Sequence, residues 1–382
     1  MFYRTLWIRR IEDAWKRKPL IWLTGARGTG KSSLLQSLPD CTYYDCNLAE
    51  VGEWIKDPQG FFKGQTAPRI ALDNLEGLPE ADEALREAFT AAPDLKIIVA
   101  GSPGMNLSAR HQGILPKHRE TITLTPMTAQ DLEDFKQEEL KHRLQQGGLP
   151  AFFQAPSLEP VDLDAWVEAF LEEDIGGFLR VKQFSLDRFL RLVWMRSGVT
   201  FEATAYSAHC EVSRPAIAKY LTLLESAHAV MVLRPFTTRR PTEILAAPRV
   251  YCFDTGLTCR IKGWKYLRQD DLARLWEHYV FNELQAHFQA RHIHYWRDKR
   301  NHAVDFVLAL RDAAPAAVQC MWISDEFDPG GLRSFRVQYR HGENFVVCHD
   351  VLMPYRKLYG NLKVTFLPLS DLITALKGLA PA

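Results

Sequence analysis

Residues 25–32 read Gly-Ala-Arg-Gly-Thr-Gly-Lys-Ser, placing glycines, a lysine and a hydroxyl at the spacing of the Walker A loop. Glycines let a backbone fold tightly enough for its N–H groups to point at phosphate oxygens, and a helix opening after the loop adds its positive end. Lys31 can reach the β and γ phosphates as a point charge, and the Ser32 hydroxyl can ligate a Mg²⁺ bridging them. The expected cradle for ATP or ADP is therefore Gly25, Ala26, Arg27, Gly28, Thr29, Gly30, Lys31, Ser32 and Ser33. The partner motif is an apolar strand ending in an acid that holds Mg²⁺ through water. Ile70-Ala71-Leu72-Asp73 supplies it, with Asp73 joining Ser32 on the metal side. Asn74 follows, where P-loop ATPases usually carry a glutamate that polarises the attacking water. An amide can orient a water but cannot accept its proton, so hydrolysis is expected to be slow unless the strand end bends and brings in Glu76. Ser102, after a third apolar run, is either a sensor of the γ-phosphate or part of an ordinary turn.

These residues need a scaffold. Residues 18–24 read as a strand that feeds the loop, and 32–38 as the helix that follows it. Apolar runs at 69–73 and 96–100, separated by a helical stretch at 80–91, predict parallel strands joined by crossover helices. Thr128 reads as the N-cap of a helix running toward Leu144 and stopped by Gly147 and Gly148. Residues 154–160 read as a linker, and 165–175 and 186–195 as helices. Beyond Arg249 strands and helices mix, with 295–310 strand-rich and 313–317 a loop. The expected divisions are 1–127, 128–180, 181–255 and 256–382.

At 382 residues the chain exceeds what one hydrophobic core usually covers, and 47% hydrophobic with 24% charged residues is the balance of a soluble globular chain. No segment approaches the ~20 apolar residues of a membrane span, and the N-terminus lacks a secretory stretch, so no membrane partner and a cytoplasmic location are expected. Seven scattered cysteines without paired spacing read as free thiols.

Gly25-Ala-Arg-Gly-Thr-Gly-Lys-Ser-Ser-Leu-Leu35, Ile98-Val-Ala-Gly-Ser102 and Gly147-Gly-Leu-Pro150 resemble a prokaryotic family of AAA+ ATPases. Phe170-Leu-Glu-Glu-Asp-Ile175, Val250-Tyr-Cys-Phe-Asp-Thr-Gly-Leu257, Glu277-His-Tyr-Val-Phe-Asn-Glu-Leu284, Tyr295-Trp-Arg-Asp-Lys299 and Val304-Asp-Phe-Val307 look like that family's C-terminal domain of unknown function. The resemblance covers nearly the whole chain. It implies a parallel α/β P-loop NTPase sheet of the AAA+ type, then a helical and winged-helix domain, then an α+β domain similar to restriction nucleases; it names no substrate. Related ATPases use arginine fingers in trans, which would make the protein a homo-oligomer. Lys117, His118 and Arg119 lie where a finger would be sought, against the reading of a solvated basic loop.

Residues 202–224 read as helix, turn and helix, with Ser213 as N-cap, Pro215 in the first turn and an apolar stripe of Ile217, Tyr220, Leu221 and Leu224. Arg214 and Lys219 would face DNA, with Arg239 and Arg240 at the tip of a wing formed by 230–235 and 249–253. Residues 180–250 carry eleven Lys and Arg against five Asp and Glu, a local charge of +6 in a chain whose net charge is +1. Phosphate attraction would be salt-dependent; the competing reading is a winged helix that packs only against a protein partner. In the C-terminal region Asp305 stands where a nuclease needs an acid, but Gln319 and Met321 replace the Glu and Lys wanted on the next strand, so nuclease activity is not expected. Glu277 and Glu283 read as metal-facing or as a solvated helix face, and Glu168, Glu172, Glu173 and Asp174 as a solvated face, though the family resemblance there implies an interdomain contact. Three functional readings stay open: an ATPase acting on DNA, an ATP-held switch or protein-interaction module with little hydrolysis, and a structural subunit of a larger assembly.

Overall fold

The computed structural model describes residues 3–78, 81–102, 117–137, 139–155, 160–176, 183–237, 247–289, 292–309 and 314–379. They form two compact units, the first from residues 1–140, 147–190 and 210–229 and the second from 141–146, 191–209 and 230–382.

In the first unit the three continuous apolar runs become the central strands, buried on both faces as parallel sheets require, while the two edge strands are mostly half-buried. Strands β1 (Leu20–Thr24), β2 (Cys41–Asp45), β3 (Arg69–Asp73), β4 (Lys96–Ala100) and β5 (Arg119–Thr123) pair in parallel in the order β2-β3-β4-β1-β5. The strand that feeds the glycine loop and the strand that ends in Asp73 are thus separated by β4, whose end carries Ser102. Helix α1 (Thr5–Arg17) buries the stripe Trp7, Ile8, Ile11, Ala14 and Trp15 at helical period. Helix α2 (Lys31–Gln36) follows the loop. Helices α3 (Ala49–Ile55), α4 (Pro58–Lys63) and α5 (Ala81–Ala91) bring Val51, Ile55, Phe62, Leu85 and Ala88 against Leu20, Trp22, Ile70, Leu72, Ile97 and Val99 of the sheet.

Thr128 caps α6 (Ala129–Asp134) in a capping box with Asp131. The single helix expected from Thr128 toward Leu144 is instead two, α6 and α7 (Leu140–Gln146), because Lys136 adopts φ +56° and a left-handed residue ends a helix. The expected linker is narrower than 154–160: α8 (Pro150–Gln154) reaches its first residue and α9 (Pro160–Ala169) starts at its last. Helix α9 runs directly into a π-helical stretch, Phe170–Ile175. After α10 (Gln183–Met195) and α11 (Ala203–Cys210), helix α12 (Arg214–Ser226) opens on Ser213, whose side chain accepts from the Ala216 N–H. Its buried stripe is Ile217, Tyr220, Leu223 and Leu224; Leu221, expected there, is only half-buried.

In the second unit β6 (Val199–Thr200), β7 (Val230–Leu233) and β8 (Arg249–Cys252) form a small antiparallel sheet in the order β6-β8-β7. Helices α13 (Thr255–Ile261) and α14 (Gln269–Phe288) precede a mixed six-stranded sheet. It consists of β9 (Ile293–Arg297), β10 (Ala303–Leu308), β11 (Ala316–Met321), β12 (Asn344–Cys348), β13 (Tyr355–Tyr359) and β14 (Leu362–Leu367) in the order β13-β14-β12-β11-β10-β9. Helices α15 (Gly330–Gln338) and α16 (Leu369–Leu379) complete the unit, and Val304, Val307, Phe335, Val346 and Phe366 share its core. Residues 316 and 317, read as loop from two weak strand formers, are strand. They pair with Leu308 and Val307 on one side, and Ala317 also pairs with Asn344 on the other, which overrides local propensity. All seven cysteines are free thiols, and among the described residues no helix is long and apolar enough to cross a membrane.

Candidate nucleotide site

The glycine loop leaves β1 at Gly25, where φ is +147° and a Cβ would stand 2.5 Å from the Leu124 carbonyl oxygen, so only glycine fits. A carbonyl turned inward would repel phosphate, and four of the loop's carbonyls already accept hydrogen bonds. Those of Gly25 and Ala26 accept from Lys31 Nζ at 3.0 and 3.1 Å, that of Arg27 from the Trp166 indole at 3.3 Å, and that of Thr29 from the Arg4 guanidinium at 2.8 Å. Arg4 also forms a two-pronged pair with the buried Asp131, Nε to Oδ1 at 3.0 Å and Nη2 to Oδ2 at 2.6 Å. Burial alone would raise the Asp131 pKa; Arg4 and the Thr128 hydrogen bonds outweigh it and hold the carboxyl below its ordinary value.

A cavity of about 550 Å³ opens beside the loop, lined by Lys31, Ser32, Ser33, Asp73, Asn74, Glu76 and Ser102 among others. The structure therefore gathers the candidate catalytic and metal-side residues around one space. Lys31 is pulled down to about 8 by burial, opposed by Asp174, Asp73 and Glu76. Asp73 is buried, accepts from Tyr43 Oη at 2.9 Å and from the Asn74 N–H at 3.0 Å, and shares the cavity wall with the exposed Ser32. Asn74 sits at φ +53°, a left-handed conformation asparagine tolerates, and its amide donates to Asp45 at 2.8 Å. The 3₁₀ turn Leu75–Gly77 follows. It brings Glu76 to the cavity wall, where Oε1 accepts from the Ser102 N–H at 2.9 Å.

Several residues at this site carried no recognisable signal in the sequence: Arg4, Tyr43, Trp166 and His228. His228 lies two residues past α12 and shares a 2.7 Å hydrogen bond with Thr24, the residue before the loop; burial and the Lys31 charge lower its pKa to about 4, so it is neutral. The reading of residues 168–174 as a solvated face fails at Asp174, whose side chain is 1% exposed. A π-helical turn holds more residues than an α-turn, and in it Asp174 is buried while Glu172 and Glu173 stay exposed.

Of the expected DNA-facing residues, Arg214 and Lys219 are exposed on α12, while Arg239 and Arg240 lie outside the described residues. Arg119 packs its guanidinium on Trp22 at 5.1 Å and His118 stacks on Phe89 at 5.5 Å. In the second unit Asp305 sits at a break in the β9/β10 register and accepts from the Cys320 N–H at 2.9 Å. Arg249 stands 3.7 Å from Asp305 and 3.3 Å from Glu277, to which Tyr251 also donates. Glu277 is thus held in an ion pair and Glu283 is buried, so neither belongs to a solvated helix face. Burial, and then the Glu277 charge, push the Asp305 carboxyl up. Gln319 and Met321 on β11 are half-buried.

A glycine loop between a central parallel strand and a helix, faced by an acid from the strand two places away, defines a P-loop NTPase. Residues 17–133 match the family model described as an AAA domain, and this part of the chain is a P-loop ATPase domain of the AAA+ class. Residues 137–268 match a domain of unknown function (DUF8612) and residues 272–369 another (DUF4143). The chain is 26% identical over 316 residues to uncharacterized proteins of Mycobacterium tuberculosis and Mycobacterium bovis, covering 79% of this chain and 70% of each relative. Among solved structures, a Walker-type ATPase of Pyrococcus abyssi is 15% identical with a TM-score of 0.44, over 69% of this chain and 96% of that one. The RuvB Holliday junction branch migration motor of Thermotoga maritima is 15% identical with a TM-score of 0.28, over 63% and 93%.

Proposed function

We propose that this protein binds ATP with Mg²⁺ in the cavity beside residues 25–33, hydrolyses it, and couples that cycle to DNA through a winged-helix module that includes α12. The carrying observation is the single cavity wall shared by Lys31, Ser32, Asp73 and Glu76. Ser32 and Asp73 would hold the metal, an oxygen donor set suited to Mg²⁺, which would supply charge neutralisation at the β and γ phosphates when bound. Lys31 would turn from the loop carbonyls to the phosphates. Glu76 has the free lone pairs to accept a proton from the attacking water that Asn74 lacks, and Ser102 would fix its orientation. Exposed Arg214 and Lys219 and the +6 charge of residues 180–250 support a phosphate-binding face, and the His228–Thr24 hydrogen bond supplies a contact from α12 to the loop. Free thiols accord with a cytoplasmic location. We assign the domains as a P-loop core (1–127), a helical segment (128–180), a winged helix (181–255) and an inactive nuclease-like domain (256–382).

A second reading, an ATP-held switch with little turnover, rests on Asn74, whose amide is engaged with Asp45. Steady-state ATP turnover of wild type and Lys31→Ala, with single-stranded, duplex and branched DNA, tests both. Turnover stimulated by DNA and lost in Lys31→Ala is expected. ATP binding without turnover would select the switch, and unchanged ATP affinity in Lys31→Ala would overturn the site.

A further inference from the structure

The cavity wall holds more negative charge than a phosphate site should. Its ionisable residues are Arg27 and Lys31 against Asp73, Glu76, Glu173 and Asp174. Asp73 and Glu76 have assigned tasks toward metal and water. Glu173 and Asp174 have none, and they come from the π-helical stretch rather than from the sheet.

Their positions are specific. Arg27 lies in the middle of the glycine loop, with its Nη2 donating to Glu173 Oε2 at 2.5 Å and its Nη1 lying 3.4 Å from both Asp174 oxygens. Asp174 is nearly inaccessible, whereas Glu173 is 64% exposed. The same stretch is braced on the loop by Trp166, which stacks on Phe170 with centroids 5.1 Å apart and donates to the Arg27 carbonyl at 3.3 Å. Leu149 and Trp166 also stand 3.6–3.8 Å from where a Cβ on Gly28 would be.

A guanidinium in a phosphate-binding loop is a natural partner for phosphate oxygens, because its planar fork fits them as it fits a carboxylate. We propose that Glu173 and Asp174 are affinity-determining residues that hold Arg27 in competition with phosphate oxygens, and that a triphosphate binds by exchanging its oxygens for theirs. This rests on the nucleotide reading of the cavity. The exchange would unlatch residues 170–175 from the loop, so occupancy of the phosphate site would be reported by the π-helical segment. Like charges left in place would oppose the polyphosphate, so neutralising them should tighten its binding.

The test compares ATP affinity, by calorimetry with Mg²⁺ at pH 7.5, in wild type, Glu173→Gln and the Glu173→Gln/Asp174→Asn double variant. Glu173→Gln alone carries the test if the double variant does not fold. The double variant should bind ATP at least about tenfold tighter, a change of about 1.4 kcal/mol, with a smaller gain in the single one. Hydrogen exchange at residues 166–175 should quicken when ATP is added to wild type. Unchanged or weaker affinity in folded variants, or slower exchange on ATP addition, would overturn the latch while leaving the nucleotide site standing. Absence of ATP binding in wild type and variants alike would overturn both.

Discussion

Arg4 offers the sharpest test of how the loop is held. Arg4 is 4% exposed and its guanidinium gives four hydrogen bonds, two to Asp131 and one each to the carbonyls of Thr29 and Thr125. Arg4→Ala leaves the Asp131 carboxylate, wholly buried, with only the Thr128 N–H and hydroxyl as partners. Breaking a buried pair by removing one member costs about 3–5 kcal/mol, because the remaining charge stays desolvated. The orphaned Thr29 carbonyl adds a cost on the order of 1 kcal/mol. Against an m-value of about 2 kcal/mol per molar, the urea midpoint of the first unit should fall by roughly 2–3 M. Asp131 titrates below its ordinary range in the folded state, so its contribution is present above the unfolded pKa and lost as pH falls through the folded one. The penalty of Arg4→Ala should accordingly shrink in acid. Replacing both partners with apolar residues, Arg4→Met with Asp131→Leu, should recover much of the loss. A penalty under about 1 kcal/mol for Arg4→Ala at pH 7, or one that does not change with pH, would refute the reasoning.

Glu76→Gln should lower ATP turnover by roughly a hundredfold with little change in ATP affinity, whereas Asn74→Glu should raise turnover; wild-type rates in Glu76→Gln would remove it as the base. Asp174, raised to about 6 chiefly by burial, favours its neutral form in the fold. Its stabilising effect is therefore full below the unfolded pKa and lost as pH rises through about 6. Asp174→Asn should accordingly be more stable than wild type at pH 7.5, by at most about 3 kcal/mol in chemical denaturation, with the difference gone near pH 4; an equal offset at both pH values would contradict this. In the second unit, supercoiled plasmid should stay intact with Mg²⁺ or Mn²⁺, and cleavage abolished by Asp305→Asn would show that the Arg249-paired carboxylates are active. Arg249→Met should destabilise that unit by about 3–5 kcal/mol, read by chemical denaturation, because Asp305 and Glu277 would then face each other without a cation.

The glycine loop, the strand ending in Asp73, Thr128 as a cap and Ser213 opening α12 were legible because each is a local matter. Backbone freedom, apolar period and side-chain-to-backbone hydrogen bonds act over a few residues, and the sequence states them directly. The strand order, and with it the meeting of Lys31, Asp73 and Glu76, needed the sheet. Asn74 illustrates the boundary: its amide chemistry is plain from the letter, but its left-handed turn, which decides whether Glu76 reaches the cavity, depends on packing around Leu75 and on Asp45. Arg4 and Asp131 stand 127 residues apart, and Arg27 and Asp174 stand 147 apart. An ion pair across such separations leaves no periodicity to read. Acidic residues on a helix look solvated until the fold buries one of them against the loop. Types and spacing thus fixed which chemistry was available, while long-range burial decided which charges confront one another and which are held apart.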